Sequence, residues 1–376
     1  MTWELLFDRP QFAVRRSGRL LAAELRSPMR VMSTSVVNGG RCDHVRHLLN
    51  HQSCEGAGHQ ALHDLLVTLG HEAYHRRVCE EAGVAPEKTA MMGTAANMNY
   101  AALETEVDRD LEVTAVVTAG VESNATCAGD PTRWRETDVG MERVADGTIN
   151  TMVLVNAPLT EAAIARAVVI MSEGKSAALQ RLAVPSRQSQ DLATGTGTDQ
   201  YCLASPMDGR TPLASAGSHV KLGELIGRAV RTATLEALRW QNGLETSYTR
   251  GVFHALGRYG VREATILEDL APLLSEADLE LLRRNLRSVA YEPMVGAAAH
   301  ALATVLDRVR HGGLPSPVQR EAAMQLAATF AVNLAGQVDR WVEFRHRLDE
   351  QAGRDDPREL ILRALALGWS EKWASA

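Results

Sequence analysis

The pattern of apolar and polar positions changes near residue 245. Before this point, short apolar or β-branched runs alternate with loops rich in Gly, Thr and Asn, which is typical of strands joined by turns. After it, periodic apolar runs separated by Pro and Gly predict four to six helices. These runs cover residues 262–273, 277–290, 293–310, 317–347 and 357–369. We therefore expect an α/β domain over residues 1–245, with a mixed sheet and flanking helices, followed by an all-α domain over residues 246–376.

The same pattern predicts individual elements of the first part. Residues 161–182 keep apolar groups at helical spacing, and Thr160 is a suitable N-cap for this helix. Residues 57–81 also predict a helix, which Gly70 can interrupt, and a strong amphipathic helix is predicted over 220–240. The predicted strands lie at 12–14, 20–25, 30–37, 88–94, 112–118, 151–155 and 201–204.

Composition and charge exclude several classes of protein. Hydrophobic residues make up 45% of the chain and charged residues 23%, which supplies a core and does not indicate disorder. The net charge of -6 lacks the basic character of a protein that binds nucleic acid or an anionic membrane. No apolar run is long enough to span a bilayer. We therefore expect a small-molecule substrate as partner, and neither nucleic acid nor a membrane.

The cysteines and the N-terminal segment predict a cytoplasmic protein. Five cysteines stand at irregular spacings without a CxxC pair, so they encode neither a disulfide framework nor a cysteine zinc site. Free thiols are typical of a reducing compartment. The first twenty residues contain acidic side chains and no uninterrupted apolar stretch, unlike a Sec signal peptide.

Five clusters of hydroxyl, amide and glycine residues lie beside the short apolar strands, where α/β proteins usually build their sites. Glycine lets the backbone approach a ligand closely, and hydroxyls and amides bind polar groups without charge. Taken singly, each cluster is equally typical of an ordinary turn. The candidate substrate-binding residues of these clusters are Asn38, Gly39, Asn50, His51, Thr94, Asn124, Asn150, Thr194, Thr196, Thr198, Lys221 and Glu224.

Several long segments, taken in order, resemble the adenosylcobinamide amidohydrolase family. They read TAGVESNATCAGDP, GTINTMVLVNAPLT, SEGKSAAL, ATGTGTD and AGSHVKLGELIGRAV, and the resemblance extends upstream to NGG, NH and MMGTAA. It covers about residues 30–240. The chain departs from the family at Gly174, where members carry Ala, and the helices after about residue 245 have no recognised counterpart.

The resemblance implies a reaction. The family hydrolyses the amide that joins the propionate arm of the corrin ring to the aminopropanol linker, giving cobyric acid, and it serves corrinoid salvage in the cytoplasm. We therefore expect hydrolysis of an amide in a corrinoid side chain or in a related small molecule. No cofactor is expected, because the corrinoid cobalt would belong to the substrate.

Amide hydrolysis needs a nucleophile, a proton donor for the leaving amine and donors for the oxyanion. Asp199 and His219 have the residue types of a general base oriented by a carboxylate, although His219 is also placed to cap the next helix. Lys175 would act as a base if its pKa were lowered, and a solvated lysine is the alternative. Glu173 stands two positions earlier on the same helix and points to the other side, so only one of the two can contact a ligand directly.

The nucleophile stays open at this point. The candidates are water and the hydroxyls of Thr118, Thr194, Thr196 and Thr198. Asn124, Asn150 and the glycine-rich backbone are candidate amide donors.

A competing motif is His71-Glu72-Ala73-Tyr74-His75, which matches HExxH and predicts a zinc hydrolase with two imidazole ligands. If one helix runs over 57–80, however, His71 and His75 lie opposite the leucine stripe and face solvent. No third ligand is evident. Zinc at His71 and His75 is therefore the alternative, and another is a non-catalytic small-molecule-binding or interaction protein whose helical extension recruits a partner. For the leading interpretation we expect that the chain can form a homo-oligomer.

Overall fold

The computed structural model describes residues 2–54, 61–131, 136–137, 140–141, 148–351 and 356–373. The chain divides into two compact units. The first comprises residues 1–188 and 192–244, and the second comprises residues 189–191 and 245–376. Mixed sheets with flanking helices build the first unit and helices build the second, so the predicted fold class is confirmed.

The first unit alternates strands and helices. In chain order its main elements are β1 Glu4–Asp8, β2 Phe12–Ser17, β3 Leu20–Leu25, β4 Met29–Ser33, β5 Gly40–Cys42, β6 His47–Gln52, α1 Ala61–Leu69, α2 His71–Ala82, β7 Thr89–Thr94, β8 Ala102–Asp108, β9 Leu111–Ala119, β10 Ala125–Thr126, β11 Glu136–Thr137, β12 Gly140–Met141, β13 Ile149–Val155, α3 Glu161–Arg181, β14 Gly195–Thr196, β15 Gln200–Pro206 and α4 Lys221–Asn242.

Two larger mixed sheets form the framework of this unit. One has the strand order β1-β2-β3-β6-β7 and the other β5-β4-β15-β13-β9-β8. The pairs β6–β7 and β13–β15 are parallel, and the remaining neighbours are antiparallel. The strands predicted at 12–14 and 20–25 are present as β2 and β3 and pair as an antiparallel hairpin, with Phe12 opposite Leu25. Strands β1, β5, β6 and β8 of these sheets were not predicted.

The two sheets stack face to face and carry helices on their outer faces. Phe12 and Leu21 of the first sheet share a buried cluster with Met152 and Leu154 of the second. Helix α2 packs on the outer face of the first sheet, and α3 and α4 pack on the outer face of the second. The resulting order of layers is helix, sheet, sheet, helix, and the central strand β13 is buried along its whole length.

Local residue choices explain how the helices begin, break and pack. Thr160 Oγ1 accepts a hydrogen bond from Ala163 N, which confirms the predicted N-cap of α3. Gly70 adopts φ 78°, so the predicted helix over 57–81 is broken into α1 and α2, with residues 55–60 outside the described part. Helices α3 and α4 approach closely at Gly174, where a Cβ would stand 2.9 Å from the carbonyl oxygen of Gly227.

The second unit is helical throughout its described part. Its helices are α5 Thr246–Thr249, α6 Val252–Leu256, α7 Ile266–Leu270, α8 Glu276–Ala290, α9 Pro293–Arg310, α10 Ser316–Ala335, α11 Trp341–Gln351 and α12 Pro357–Ser370. The run predicted over 317–347 is two helices, because Gly336 at φ 72° ends α10. Among the described residues no single helix is long and apolar enough to cross a membrane, although α8 and α9, bent by 80°, together have that length and composition.

Candidate functional site

Strand ends from both large sheets meet at one end of the first unit. Strands β6, β7 and β9 finish there, and β13 and β15 begin there, as the pairs Gln52–Thr94 and Asn150–Gln200 show. The loops 53–54, 94–101, 120–131, 148 and 194–199 leave from these strand ends. We call this region the polar end. It gathers most of the candidate residues that the sequence singled out, with the exceptions described below.

A buried ion pair joins the C-terminal half of α3 to the loop before β15. Lys175 Nζ donates to Asp199 Oδ2, and each side chain is only 8% exposed. Glu173, two positions earlier on α3, is exposed. As predicted, the two side chains point to different sides of the helix, and the structure shows that Lys175 is the buried one while Glu173 is in solvent.

The Asp199 carboxylate is fully engaged by neighbouring donors. Oδ1 accepts hydrogen bonds from Thr196 Oγ1 at 2.6 Å and from Ile149 N at 3.0 Å. Oδ2 accepts from Thr196 N at 3.0 Å in addition to Lys175. Gly195 covers the pair, because a methyl group there would overlap both Lys175 Nζ and Asp199 Oδ2. The glycine in this threonine-rich loop is thus required by the close approach of its backbone to the ion pair.

The electrostatics of Lys175 correct one sequence-based expectation. Burial lowers its pKa, but Asp199 and then Tyr201 outweigh that effect, so the pKa lies above the ordinary value for lysine. The Tyr201 ring centroid is 5.7 Å from Lys175 Nζ. Lys175 is therefore a charged ammonium group at neutral pH, and the expected role of a base with a lowered pKa is wrong. A fixed positive charge can instead stabilise a developing oxyanion.

A second polar group, made of amides and a hydroxyl, lies between the two sheets at the polar end. Asn150 Nδ2 donates to Asn50 Oδ1 at 2.8 Å and to the carbonyl oxygen of Gly93 at 3.0 Å, and Asn50 Nδ2 donates to Thr118 Oγ1 at 2.7 Å. Asn50, Asn150 and Thr118 are each 1% exposed. They cross-link the sheets, and Thr118 is too enclosed in this arrangement to meet a large substrate.

The remaining loop residues of the polar end surround Thr196. Ala125 pairs with Thr196, and this pairing places Asn124 Oδ1 beside Gly197, 3.2 Å from where a Cβ of that glycine would stand. Thr194 Oγ1 accepts a hydrogen bond from Ala128 N at 2.8 Å. Thr198 is exposed, and its carbonyl oxygen accepts from Thr148 Oγ1 at 2.9 Å. These contacts bring Asn124, Thr194, Thr196 and Thr198 together.

Other candidate residues have structural partners. Asn38 donates to the carbonyl oxygens of Pro86 and Thr89, both at 2.8 Å, and a Cβ on Gly39 would overlap the carbonyl oxygen of Ser35. Both residues shape the loop after β4. Thr94 Oγ1 accepts from the backbone N–H of Ala96 at 3.0 Å, which closes a local turn.

His51 points away from Asn50, because successive side chains on a strand face opposite sides of the sheet. Its Nδ1 lies 3.1 Å from Tyr74 Oη on helix α2. Burial, with a smaller contribution from Arg19, lowers the pKa of His51 to about 4, and burial raises the pKa of Tyr74 to about 12. His51 is therefore a neutral, buried histidine on the opposite face of the first sheet.

The structure does not pair Asp199 with His219. His219 is exposed and approaches Gly217 together with Arg166, which precedes Lys175 by nine residues, or about 14 Å along α3. Among the described residues, the hydrogen bonds of Asp199 go to Lys175, Thr196 and Ile149 instead. The proposed oriented base is thus separated from its carboxylate, because His219 precedes α4 at the end remote from the site.

Lys221 and Glu224 lie on the first turn of α4, on the surface. Lys221 Nζ is 2.7 Å from Glu224 Oε2, and Glu224 also pairs with Arg228. The ion pairs continue from Arg228 to Glu106 on β8. This surface network contains no contact with the Lys175–Asp199 pair.

The HExxH motif does not form a metal centre within the described residues. His71 is exposed, whereas His75 is 3% exposed and its Nε2 donates to the carbonyl oxygen of Thr89 at 3.0 Å. The expectation that His75 faces solvent is wrong, because Gly70 breaks the helix and the leucine spacing of 62–69 does not continue into α2. Burial lowers the pKa of His75, partly offset by the bond to Thr89. No group of three metal-ligating side chains occurs in the described part of the chain.

Sequence reasoning missed Tyr201 as a site residue. It begins the apolar run of β15, two positions before the core residue Leu203, so strand alternation places both on the face that α3 covers. Its hydroxyl is buried and has no hydrogen-bond partner at ordinary distance among the described residues. The signal that could have identified Tyr201 is the two-residue alternation of strand β15, which places Tyr201 on the same face as Leu203.

A comparison with known protein families identifies the family of this chain. A family model described as adenosylcobinamide amidohydrolase matches residues 6–246, so the chain belongs to that family. An uncharacterized protein of Methanocaldococcus jannaschii is 33% identical over 183 residues, which is 46% of this chain and 71% of that protein. A crystal structure of a protein from Pyrococcus horikoshii OT3 matches 63% of this chain and 82% of that one, at 12% identity and a TM-score of 0.31.

Proposed function

We propose that this protein hydrolyses the amide that joins a corrin propionate arm to aminopropanol, converting adenosylcobinamide to cobyric acid and aminopropanol. Family membership over residues 6–246 supports an amide hydrolase. The observation that carries the proposal is the buried Lys175–Asp199 pair with the Thr196 hydroxyl bound to the same carboxylate. The proposal requires no bound cofactor, because the cobalt belongs to the substrate.

The contacts of Asp199 support its role as the proton acceptor. The Thr196 hydroxyl already donates to Asp199 Oδ1 at 2.6 Å, so the carboxylate can take that proton as the oxygen attacks the amide carbon. The proton then passes from Asp199 to the leaving amine as the C–N bond breaks, leaving an ester on Thr196. Water, deprotonated by the same carboxylate, hydrolyses this ester and returns the proton to Thr196.

Lys175 contributes charge and does not transfer a proton in this scheme. Its ammonium group is paired with the Asp199 carboxylate and lies where it can stabilise negative charge on the carbonyl oxygen. Direct attack by water on the amide, with Asp199 as base, uses the same groups without an ester on Thr196. Trapping of an acyl-enzyme by mass spectrometry distinguishes the two routes.

The proposal is tested by incubating the purified full chain with adenosylcobinamide and identifying the products by mass spectrometry. We expect cobyric acid and aminopropanol in equal amounts. Thr196→Val should lower kcat about 10²-fold, whereas Thr196→Ser should keep most of the activity. Absence of both products, with a folded protein, would overturn the assigned reaction. A panel of other amides in the same assay would then show whether a related substrate is cleaved.

A further inference from the structure

An open groove of about 270 Å³ lies between α3 and the second sheet of the first unit. Met32, Ser33 and Thr34 of the β4 strand and its loop form one wall, and Ala165 and Val168 of α3 form the other. Tyr201 lines the groove as well. The groove is therefore built from an edge region of the second sheet that α3 leaves uncovered.

The groove leads toward the Lys175–Asp199 pair. Val168 and Lys175 are seven residues apart on α3, which places them on nearly the same face and about 10 Å apart along the axis. Tyr201 connects the two regions, because it lines the groove and its ring centroid is 5.7 Å from Lys175 Nζ.

Tyr201 carries an unmet hydrogen bond at this junction. Its Oη is buried and has no hydrogen-bond partner of ordinary geometry among the described residues, while its proximity to Lys175 contributes to the raised pKa of that ammonium group. Buried polar groups without partners are rare in folded proteins and call for an explanation such as a catalytic role. A carbonyl oxygen that reaches Lys175 would accept from this hydroxyl as well.

We propose that the groove binds the amide arm of the substrate and that Tyr201 donates a hydrogen bond to the scissile carbonyl oxygen beside Lys175. This inference rests on the proposed function. At about 270 Å³ the open groove has room for a slender propionamide arm and not for a corrin ring. The ring therefore stays outside, and only the arm enters between Thr34 and Val168.

The negative charge that forms on the carbonyl oxygen during attack explains why Tyr201 matters for rate. A donor aimed at this oxygen contributes mainly in the transition state, so its loss should lower kcat with little change in KM. We expect Tyr201→Phe to lower kcat about 10²-fold. An unchanged kcat in a folded Tyr201→Phe protein would overturn the assigned role.

The groove is tested by blocking it with a matched pair of substitutions. Val168→Trp fills the groove, and Val169→Trp adds the same side chain one residue along α3, at a position that is 42% exposed and does not line the groove. We expect Val168→Trp to raise KM at least tenfold and to weaken cobinamide binding in equilibrium dialysis equally, while Val169→Trp matches the parent. Ala165→Trp, at an exposed groove position, provides a second blocking variant if Val168→Trp does not fold.

The outcomes separate the two proposals. If the parent hydrolyses adenosylcobinamide and both groove variants match Val169→Trp, the groove assignment is wrong and the reaction stands. If the folded parent hydrolyses no amide, the proposed function fails, and the groove assignment fails with it.

Discussion

Lys175 of α3 and Asp199 of the loop before β15 form an ion pair that is almost wholly removed from solvent. Each of these buried charges is stabilised by the other, because without a neighbouring opposite charge nothing offsets the free energy of removing an ion from water. The pair therefore couples the stability of the fold to the chemistry of the site, and the two can be measured separately.

Removing one member of the pair should destabilise the protein and inactivate it. In Asp199→Asn the Lys175 ammonium stays buried without a counter-charge, so the free energy of unfolding should fall by about 3–5 kcal/mol. The double variant Lys175→Met/Asp199→Asn has no buried charge and should recover most of this loss, yet stay at least about 10²-fold less active than the parent. Urea denaturation and the product assay measure the two effects.

Glu173→Gln is the matched control for this experiment. Glu173 is exposed on the same helix, so its substitution should change the free energy of unfolding by less than about 0.5 kcal/mol and leave activity unchanged. A double variant as unstable as Asp199→Asn would show that the stability of the fold does not depend on the pairing of these two charges.

Gly195→Ala should abolish activity, because the added methyl group overlaps both members of the ion pair. Either the ion pair or the loop must then shift, and each shift disturbs the hydrogen bonds that the N–H and hydroxyl of Thr196 make with Asp199. Gly120→Ala is the control, since its nearest neighbour across space would be Gln241 Cγ at 3.7 Å, an ordinary contact. Equal kcat values for the two variants would argue against a tightly covered ion pair.

The stability of the protein should depend on pH through His51. The unfolded chain protonates this histidine near its ordinary pKa of 6.5, and the folded chain only near 4. Between these values the unfolded state binds more protons, so stability falls as the pH falls, and the contribution present above pH 6.5 is lost on acidification. From pH 7 to pH 5 this one group should cost about 2 kcal/mol, measured by urea denaturation at both values.

His51→Gln should reduce that pH dependence, since glutamine keeps a polar partner for Tyr74 but does not titrate. His71→Gln, at an exposed position, should leave it unchanged. If the parent and His51→Gln lose the same stability between pH 7 and pH 5, His51 is not the responsible group.

Metal removal should leave the reaction intact. His75 is buried and donates to the Thr89 carbonyl oxygen, so His75→Ala is expected to lower stability while kcat in the product assay stays within about twofold of the parent. Dialysis against a chelator should likewise have no effect, as checked by metal analysis beside the assay. Loss of activity together with loss of zinc would instead support the HExxH alternative.

Much of the fold was predictable because it depends on local pattern. The helix after Thr160 and the helices of the second unit follow from apolar spacing and capping residues, which act over a few neighbouring positions. Strand β6 was missed, because its run HLLNHQ carries polar residues that only the packing of two sheets and α2 can bury. Asn50 and His51 appear as a polar pair in sequence, although they face opposite sides of the sheet.

The sequence by itself determined that Lys175 and Glu173 point to different sides of their helix, and it indicated the family of the first unit, because helical periodicity and long ordered motifs are properties of the chain. Only the tertiary structure decided that Asp199 meets Lys175 and not His219, since partners distant in sequence are selected by how helices and strands pack. The tertiary structure also decided that Lys175 is charged. Its pKa depends on the balance between burial and a neighbouring carboxylate, and that balance exists only after the chain has folded.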